Sequence, residues 1–438
     1  MSEWTRKTIA ECADNEPYST QIGPFGKALT PEEYTLSGVP LLRGVNVNHG
    51  RFYDDGFVFI SEETANRLYK YESYPGDVLL VHKGTLGQIG LMPKKRKYHR
   101  YIMGNSMLRV KCDEKKLMPE YLYYWLCSRE GQHYLLSRVS QVGVPQIQKP
   151  LATLREASLL VPSLNEQKAI THILETIDNK IENLGRQNET LEQIAQTLFK
   201  HWFIDFEFPN ADGKPYKSSG GAMSPSELGD IPEGWRVEKL DDYVTVINGY
   251  SYKGDELQES AIGLVNLKNF DRKGGFKLNG FKEINTNNYK EQHIVNANDL
   301  VVAHTDLTQN AEVLGNPALI QPDIKYKKYI ISMDLVKIIS KEEYINNYFL
   351  YYLMSTRYFK SHCVGYSNGT TVLHLSKKAI PEYIFPLPRD FCIITQFQQV
   401  VSPLREKMTN NLSQIQTLTK TRDALLPKLM SGQLRVKE

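Results

Sequence analysis

The stretch ITHILETIDNKIENLGRQNETLEQIAQTLFKHW (170–202) decides the architecture. Ile170, Leu174, Ile177, Ile181, Leu184, Asn188, Leu191, Ala195, Leu198 and Trp202 recur at alternating spacings of four and three. That is a heptad seam on one long helix, about 50 Å from end to end. A second seam, Met408, Leu412, Ile415, Thr419, Arg422, Leu426 and Leu429, lies near the C-terminus. Each seam is too long for one small domain to cover, so the two helices are expected to pair, antiparallel. Asn188 and Thr419 each interrupt their seam near its middle and are expected to meet there, fixing register.

Ahead of each helix lies a copy of the same pattern. SGVPLLRGVN (37–46) matches SAIGLVNLKN (260–269), and PGDVLLVHKGT (75–85) matches ANDLVVAHTDL (297–307). YIMGNSMLRV (101–110) matches YIISMDLVKI (329–338), and PEYLYYWLCS (119–128) matches NNYFLYYLMS (346–355). Five collinear matches, counting Trp4–Ile9 with Trp235–Leu240, mark a duplication whose unit is domain-sized, far longer than a solenoid repeat. VLLVH and LVVAH read as short strands, and a tyrosine-rich helix follows in each copy. The expected architecture is α+β: two tandem mixed-β globules and two long helices forming an antiparallel coiled coil, with a pseudo-two-fold internal repeat. The boundaries fall at 1–162 and 234–388 for the globules, 163–208 and 389–438 for the helices, and 209–233 for a Gly/Pro/Ser-rich linker.

Of the 438 residues 41% are hydrophobic and 24% charged, and the net charge is +3. This is ordinary globular usage and excludes a uniformly basic binder. The opening MSEWTRKTIAECADNE has no apolar core and reads as no secretory signal. Five scattered cysteines make no Cys-x-x-Cys and read as reduced thiols. The chemistry of catalysis is missing from the motifs. Gly26-Lys27 lacks the rest of a P-loop, no G-x-G-x-x-G follows a strand, and no histidine pair makes H-E-x-x-H. Gly315-Asn316-Pro317-Ala318 lacks the second proline and aromatic of an amino-methyltransferase. No catalytic and no metal-ligating residue is expected.

Binding chemistry is better represented. Lys94, Lys95, Arg96, Lys97 and Arg100, interleaved with Tyr98 and Tyr101, occupy the same place in the first copy as Lys325, Lys327 and Lys328, beside Tyr326 and Tyr329, in the second. Cations among aromatics suit a phosphate backbone. Arg43 and Asn46, aligned with Asn266 and Asn269, carry groups able to pair with base edges, and Lys268 stands beside the second pair. His82-Lys83-Gly84-Thr85 aligns with His304, Thr305 and their neighbours, and Gln141 and Gln146 lie near the place of the Asn368, Thr370, Thr371 loop. Asp77 and Asp299 are expected to brace turns, and the Tyr121–Tyr124 cluster to be helix core.

The joins between these parts resemble the specificity subunit of type I restriction–modification systems. Pro162-Ser-Leu-Asn-Glu-Gln167 resembles that family's approach to its central helix, and Leu198-Phe-Lys-His-Trp-Phe-Ile-Asp-Phe206 its end. Gly229-Asp-Ile-Pro-Glu-Gly-Trp235 resembles the start of its second recognition domain, and Arg422-Asp-Ala-Leu-Leu-Pro-Lys-Leu-Met-Ser-Gly-Gln-Leu434 its C-terminal end. The second helix departs from the pattern: Thr395 stands where glutamate is expected before Gln396, with extra residues ahead, which leaves its start open. The resemblance implies a non-catalytic, cytoplasmic DNA-binding subunit from a bacterium or archaeon. Its globules would be target recognition domains reading the halves of a bipartite, asymmetric site, and its helices would set the unread spacer. It implies two adenine-N6 methyltransferase subunits, which bring S-adenosylmethionine, and two restriction subunits, which use ATP and Mg; this chain would bind no cofactor itself. Base contacts do not transfer from the family and rest on the chemistry above. The alternatives are a recognition subunit for fused methylase–nuclease partners, a free-standing DNA-modifying enzyme, and a pure scaffold.

Overall fold

A computed structural model describes residues 4–48, 51–140, 143–272 and 274–436. It divides into two compact units, residues 1–181 with 417–438, and residues 182–416. Neither is a continuous stretch of one repeat, because each takes a piece of both long helices.

In the first unit, Thr5–Thr8 pairs antiparallel with Ser158–Val161, so the globule's chain ends lie side by side. An antiparallel sheet runs in the order Thr20–Ile22, Met107–Val110, Val78–Val81, Ile89–Leu91. A mixed sheet follows Ile102–Met103, Val39–Leu42, Val58–Ile60, Tyr34–Thr35, and its first pair is parallel. The second unit repeats the plan. Trp235–Lys239 pairs with Ile384–Pro388, and the antiparallel sheet is Val244–Asn248, Leu335–Ser340, Leu300–Ala303, Pro317–Leu319. The mixed sheet is Lys282–Glu283, Ile262–Val265, Lys328–Ile331, Ile294–Val295, again with one parallel pair. Val78–Val81 and Leu300–Ala303 are buried at every position, which is why they read as continuous apolar runs. YIMGNSMLRV, which reads as one strand, is two: Ile102–Met103 belongs to the mixed sheet and Met107–Val110 to the antiparallel one. YIISMDLVKI divides the same way.

The first long helix spans Leu164–Phe199 and ends in a π-helical turn, Lys200–Ile204. The second spans Cys392–Met430, after Phe391 in the left-handed region (φ 53°). The Glu-Gln motif at 166–167 bolts the first helix down. Glu166 accepts from Trp4 Nε1 (2.9 Å) and from Arg435 Nε (2.6 Å), while Gln167 accepts from Met118 N (2.8 Å) and donates to Lys116 O and Pro162 O. In this unit Ile170 and Leu174 share a core with Leu426, Leu429 and Met430. In the second unit the core takes Ala195, Phe199, Trp202 and Phe203 from the first helix, against Phe349 and Phe397. The helices run antiparallel within each unit: Glu166 meets Arg435 where Asp178 meets Arg422, and Asn188 meets Asn411 where Glu192 meets Arg405.

Two expectations need correction. Asn188 does not meet Thr419; it accepts from Asn411 Nδ2 (2.9 Å) and donates to Met408 O (3.1 Å). The second helix buries Arg405, Met408 and Asn411 at spacings of three, so its covered face drifts off the strict heptad. Leu412, Ile415 and Thr419 are accordingly only partly buried, as are Ile177, Ile181, Leu191 and Leu198 on the first helix, whereas Leu184 is buried. Nor is 209–233 a free linker. Phe208 stacks on Tyr216 (4.6 Å between centroids) and on Trp235 (5.3 Å), Glu207 holds Ser218, and Met223–Ser224 pairs with Ile231–Pro232. Those three rings anchor a segment whose glycines, prolines and serines signal only turns.

Phe203 touches Phe199, Trp235, Phe349 and Phe397. Phe203→Ala is expected to cost about 3–5 kcal/mol, read as a lower urea midpoint for the transition of the second unit.

Candidate nucleic-acid interface

Four backbone hydrogen bonds in each unit draw separate loops into one rim. In the first, Gly23 N donates to Met107 O, Gly104 N to Leu42 O, His82 N to Ser106 O and Ile147 N to His82 O, all at 2.8–2.9 Å. In the second, Gly249 N donates to Leu335 O, Ser332 N to Val265 O, His304 N to Asp334 O and Leu375 N to His304 O, at 2.8–3.0 Å. The two sets are equivalent bond for bond. Gly23 and Gly249 are required by this crossing: a Cβ would lie 1.9 Å from Gly104 O and 2.0 Å from Ser332 O. A histidine sits at the hub of each set. His82 is buried, with Nε2 3.1 Å from Asn105 O, and burial holds its pKa below the usual histidine value. Burial does the same to His304, helped by His374 and Lys377.

The rims carry different side chains. Exposed on the first are Phe25, Lys27, Val45, Lys83, Thr85, Asn105, Val144 and Gln146. Exposed on the second are Ser251, Lys253, Lys268, Leu307, Gln309, Asn310, Met333, Asn368, Thr370, Thr371 and His374. The structure thus gathers Lys83, Thr85 and Gln146 in one place, and Lys268, Asn368, Thr370 and Thr371, near the hub His304, in the other. Gln141 lies outside the described residues. Phe25, Val45, Val144, Leu307 and Met333 escaped the sequence reading because it followed polar groups; each stands at a loop tip beside a repeated strand. The loop bearing Leu307 is braced by Asp306, whose buried carboxylate accepts from Thr308 N (2.8 Å), Val313 N (2.6 Å) and Leu314 N (3.1 Å).

Other expected base readers are removed. Asn46 is 1% exposed; its Oδ1 accepts from Arg43 N (2.9 Å) and its Nδ2 donates to Tyr53 O and Asp55 O. Asn269 is buried in the same way, accepting from Asn266 N and donating to Lys277 O. Asn266 donates to Gly280 O (2.8 Å) and Leu264 O. These amides cap turns, and their hydrogen-bonding capacity is already used by backbone. Thr305 is buried in a strand. Arg43 is half-buried and donates to Gly56 O.

The basic loops are partly engaged. Arg100 bridges Glu72 (3.0 Å), Glu62 (2.8 Å) and Asn66 (2.8 Å), and Arg96 reaches Ser73 O. Lys325 pairs with Glu283, and Lys328 donates to Tyr289 Oη (3.0 Å). Lys94, Lys95, Lys97 and Lys327 stay exposed. The aromatics are no stacking platform: Tyr98 and Tyr101 pack edge-on against Phe57, and Tyr326 and Tyr329 pack at a tilt against Phe281. Each basic loop is rooted in a small aromatic box.

Asp77 and Asp299 brace turns, accepting from Tyr74 N (2.7 Å) and Asn296 N (2.9 Å), with Arg109 and Lys337 as equivalent cationic partners at 3.6 and 2.7 Å. Among the described residues there is no cluster of groups able to hold a metal, and no helix long and apolar enough to cross a membrane.

The family model for the type I restriction modification DNA specificity domain matches twice, over residues 28–193 and 232–402. The type I restriction enzyme MjaIX specificity subunit of Methanocaldococcus jannaschii is 30% identical over 367 residues, 83% of this chain and 78% of that one. The HindI specificity subunit of Haemophilus influenzae is 25% identical over 408 residues, 76% and 81% of the two chains. The crystal structure of a type I S subunit from M. genitalium shares the fold, with a TM-score of 0.57 at 17% identity over 98% of this chain and 96% of that one. The chain belongs to the type I restriction–modification DNA-specificity family. It is the DNA-recognition subunit of such a system and not its catalytic part.

Burial pushes the Asp77 carboxyl up to about 6 against the pull of Arg109. Its folded pKa exceeds the unfolded value of about 3.9, so its contribution to stability is complete below that value and is lost as pH rises through about 6. Asp77→Asn, neutral throughout, is expected to flatten the pH dependence of the first unit's urea midpoint between those values.

Proposed function

We propose that each rim reads one half of a bipartite, asymmetric DNA site. The observation that carries this is one rim scaffold built twice, bond for bond, and furnished with different side chains. Two identical readers related by a two-fold would favour a palindrome; two different ones favour unlike half-sites. Lys83, Thr85 and Gln146 would read or anchor one half, and Lys268, Asn368, Thr370 and Thr371 the other. The exposed Lys94, Lys95, Lys97 and Lys327 are suited to phosphates, which position a protein without specifying sequence.

In this reading the helical regions fix the unread spacer and dock two adenine-N6 methyltransferase subunits, which supply S-adenosylmethionine and the chemistry. Two restriction subunits, using ATP and Mg, complete the nuclease, in the cytoplasm of a bacterial or archaeal cell. The domain limits 1–162, 163–208, 209–233, 234–388 and 389–438 serve as boundaries for exchange, with the 209–233 segment travelling with the second globule.

The test is to co-express the chain with its methyltransferase and map N6-methyladenine genome-wide. The triple variant Asn368→Ala, Thr370→Ala, Thr371→Ala is expected to relax one half of a bipartite motif and leave the other half intact. A continuous motif, or equal loss in both halves, would sink the proposal. Lys94→Ala with Lys95→Ala is expected to leave the motif unchanged and to lower the slope of log affinity against log salt by about 2, measured by fluorescence anisotropy on the purified complex.

A further inference from the structure

Each unit contains an ion pair joining the two helices, braced by the same tyrosine. In the first, Asp178 pairs with Arg422 (2.8 Å) and accepts from Tyr124 Oη (2.9 Å). In the second, Glu192 pairs with Arg405 (2.5 Å) and accepts from Tyr351 Oη (3.2 Å). Tyr124 and Tyr351 are equivalent in the repeat, 351 − 124 = 227 positions apart, and so are Asp178 and Arg405, at 405 − 178 = 227. Glu192 and Arg422 correspond to within one helical turn, at 422 − 192 = 230. The sites therefore match in place and are opposite in charge. In the first unit the acid stands on the helix following that globule and the arginine arrives on the other; in the second the roles are exchanged.

The exchange has a consequence for pairing. If the first helix paired with its own counterpart in a second chain, in this register, Asp178 would face Glu192. If the second helix did so, Arg405 would face Arg422. We infer that these four charges make each helix complementary to the other helix of the chain and repellent to a copy of itself. Arg405 is 5% exposed and Glu192 21%, so the repulsion in a self-pair would be poorly screened. The partner this surface fits is the unlike helix, which keeps two different readers together and excludes symmetric pairs of one reader. This pairing preference is independent of the DNA the rims bind.

The test uses the full chain. Asp178→Arg with Arg405→Glu makes both native pairs like-charged and both self-pairs opposite-charged. The fourfold variant, adding Arg422→Asp and Glu192→Arg, restores both native pairs with reversed sign; each site then has the charge order its equivalent already carries. Two differently tagged copies of each variant are refolded together, then weighed by light scattering and captured through one tag. The twofold variant is expected to at least double in mass and to bring the second tag with the first, while the wild type and the fourfold variant remain monomeric. A twofold variant that stays monomeric, folded or unfolded by circular dichroism, overturns the inference. So does a fourfold variant that fails to return to the monomer.

Discussion

The arrangement depends on one packing constraint: neither globule can close its own core. The second unit buries Phe199, Trp202 and Phe203, which belong to the helix that follows the first repeat. The first unit buries Leu426, Leu429 and Met430, which end the helix that follows the second. Ile170 and Leu174, and likewise Ile394, Phe397 and Val401, are fully buried in cores that a visiting helix completes, and burial of this kind is the main favourable term in folding. Antiparallel pairing, the interhelical ion pairs and the Asn188–Asn411 contact follow from that requirement.

Much of this was legible as pattern. The seam spacing gives the first helix, and the collinear matches give two copies of one domain. What spacing does not carry is which polar group a helix can bury. Arg405 continues the seam one step before Met408 and Asn411 lies beside it, yet both polar groups are covered, because Glu192 and Tyr351 receive the one and Asn188 the other. Polar side chains also read ambiguously in loops. An asparagine amide that could pair with adenine could equally cap a turn, and at Asn46 and Asn269 burial decides for the turn. The basic clusters pose the same problem, since Arg100 is committed to Glu72 and Glu62 from elements distant in sequence.

The rims show how duplication separates scaffold from surface. Backbone bonds through the hub histidines and the crossing at Gly23 and Gly249 persist in both copies, while the tip side chains differ at most equivalent positions, Lys27 and Lys253 being an exception. A scaffold held by main-chain groups leaves its loop side chains free to change, which suits a family defined by specificity.

The split cores also impose an order on biosynthesis. The first globule emerges with Ile170 and Leu174, but Leu426 and Leu429, which share their core, follow roughly 250 positions later. At about 5–20 residues per second, that interval is on the order of tens of seconds. The unit begun first is finished last, its core short of Leu426, Leu429 and Met430 until the second helix has left the ribosome.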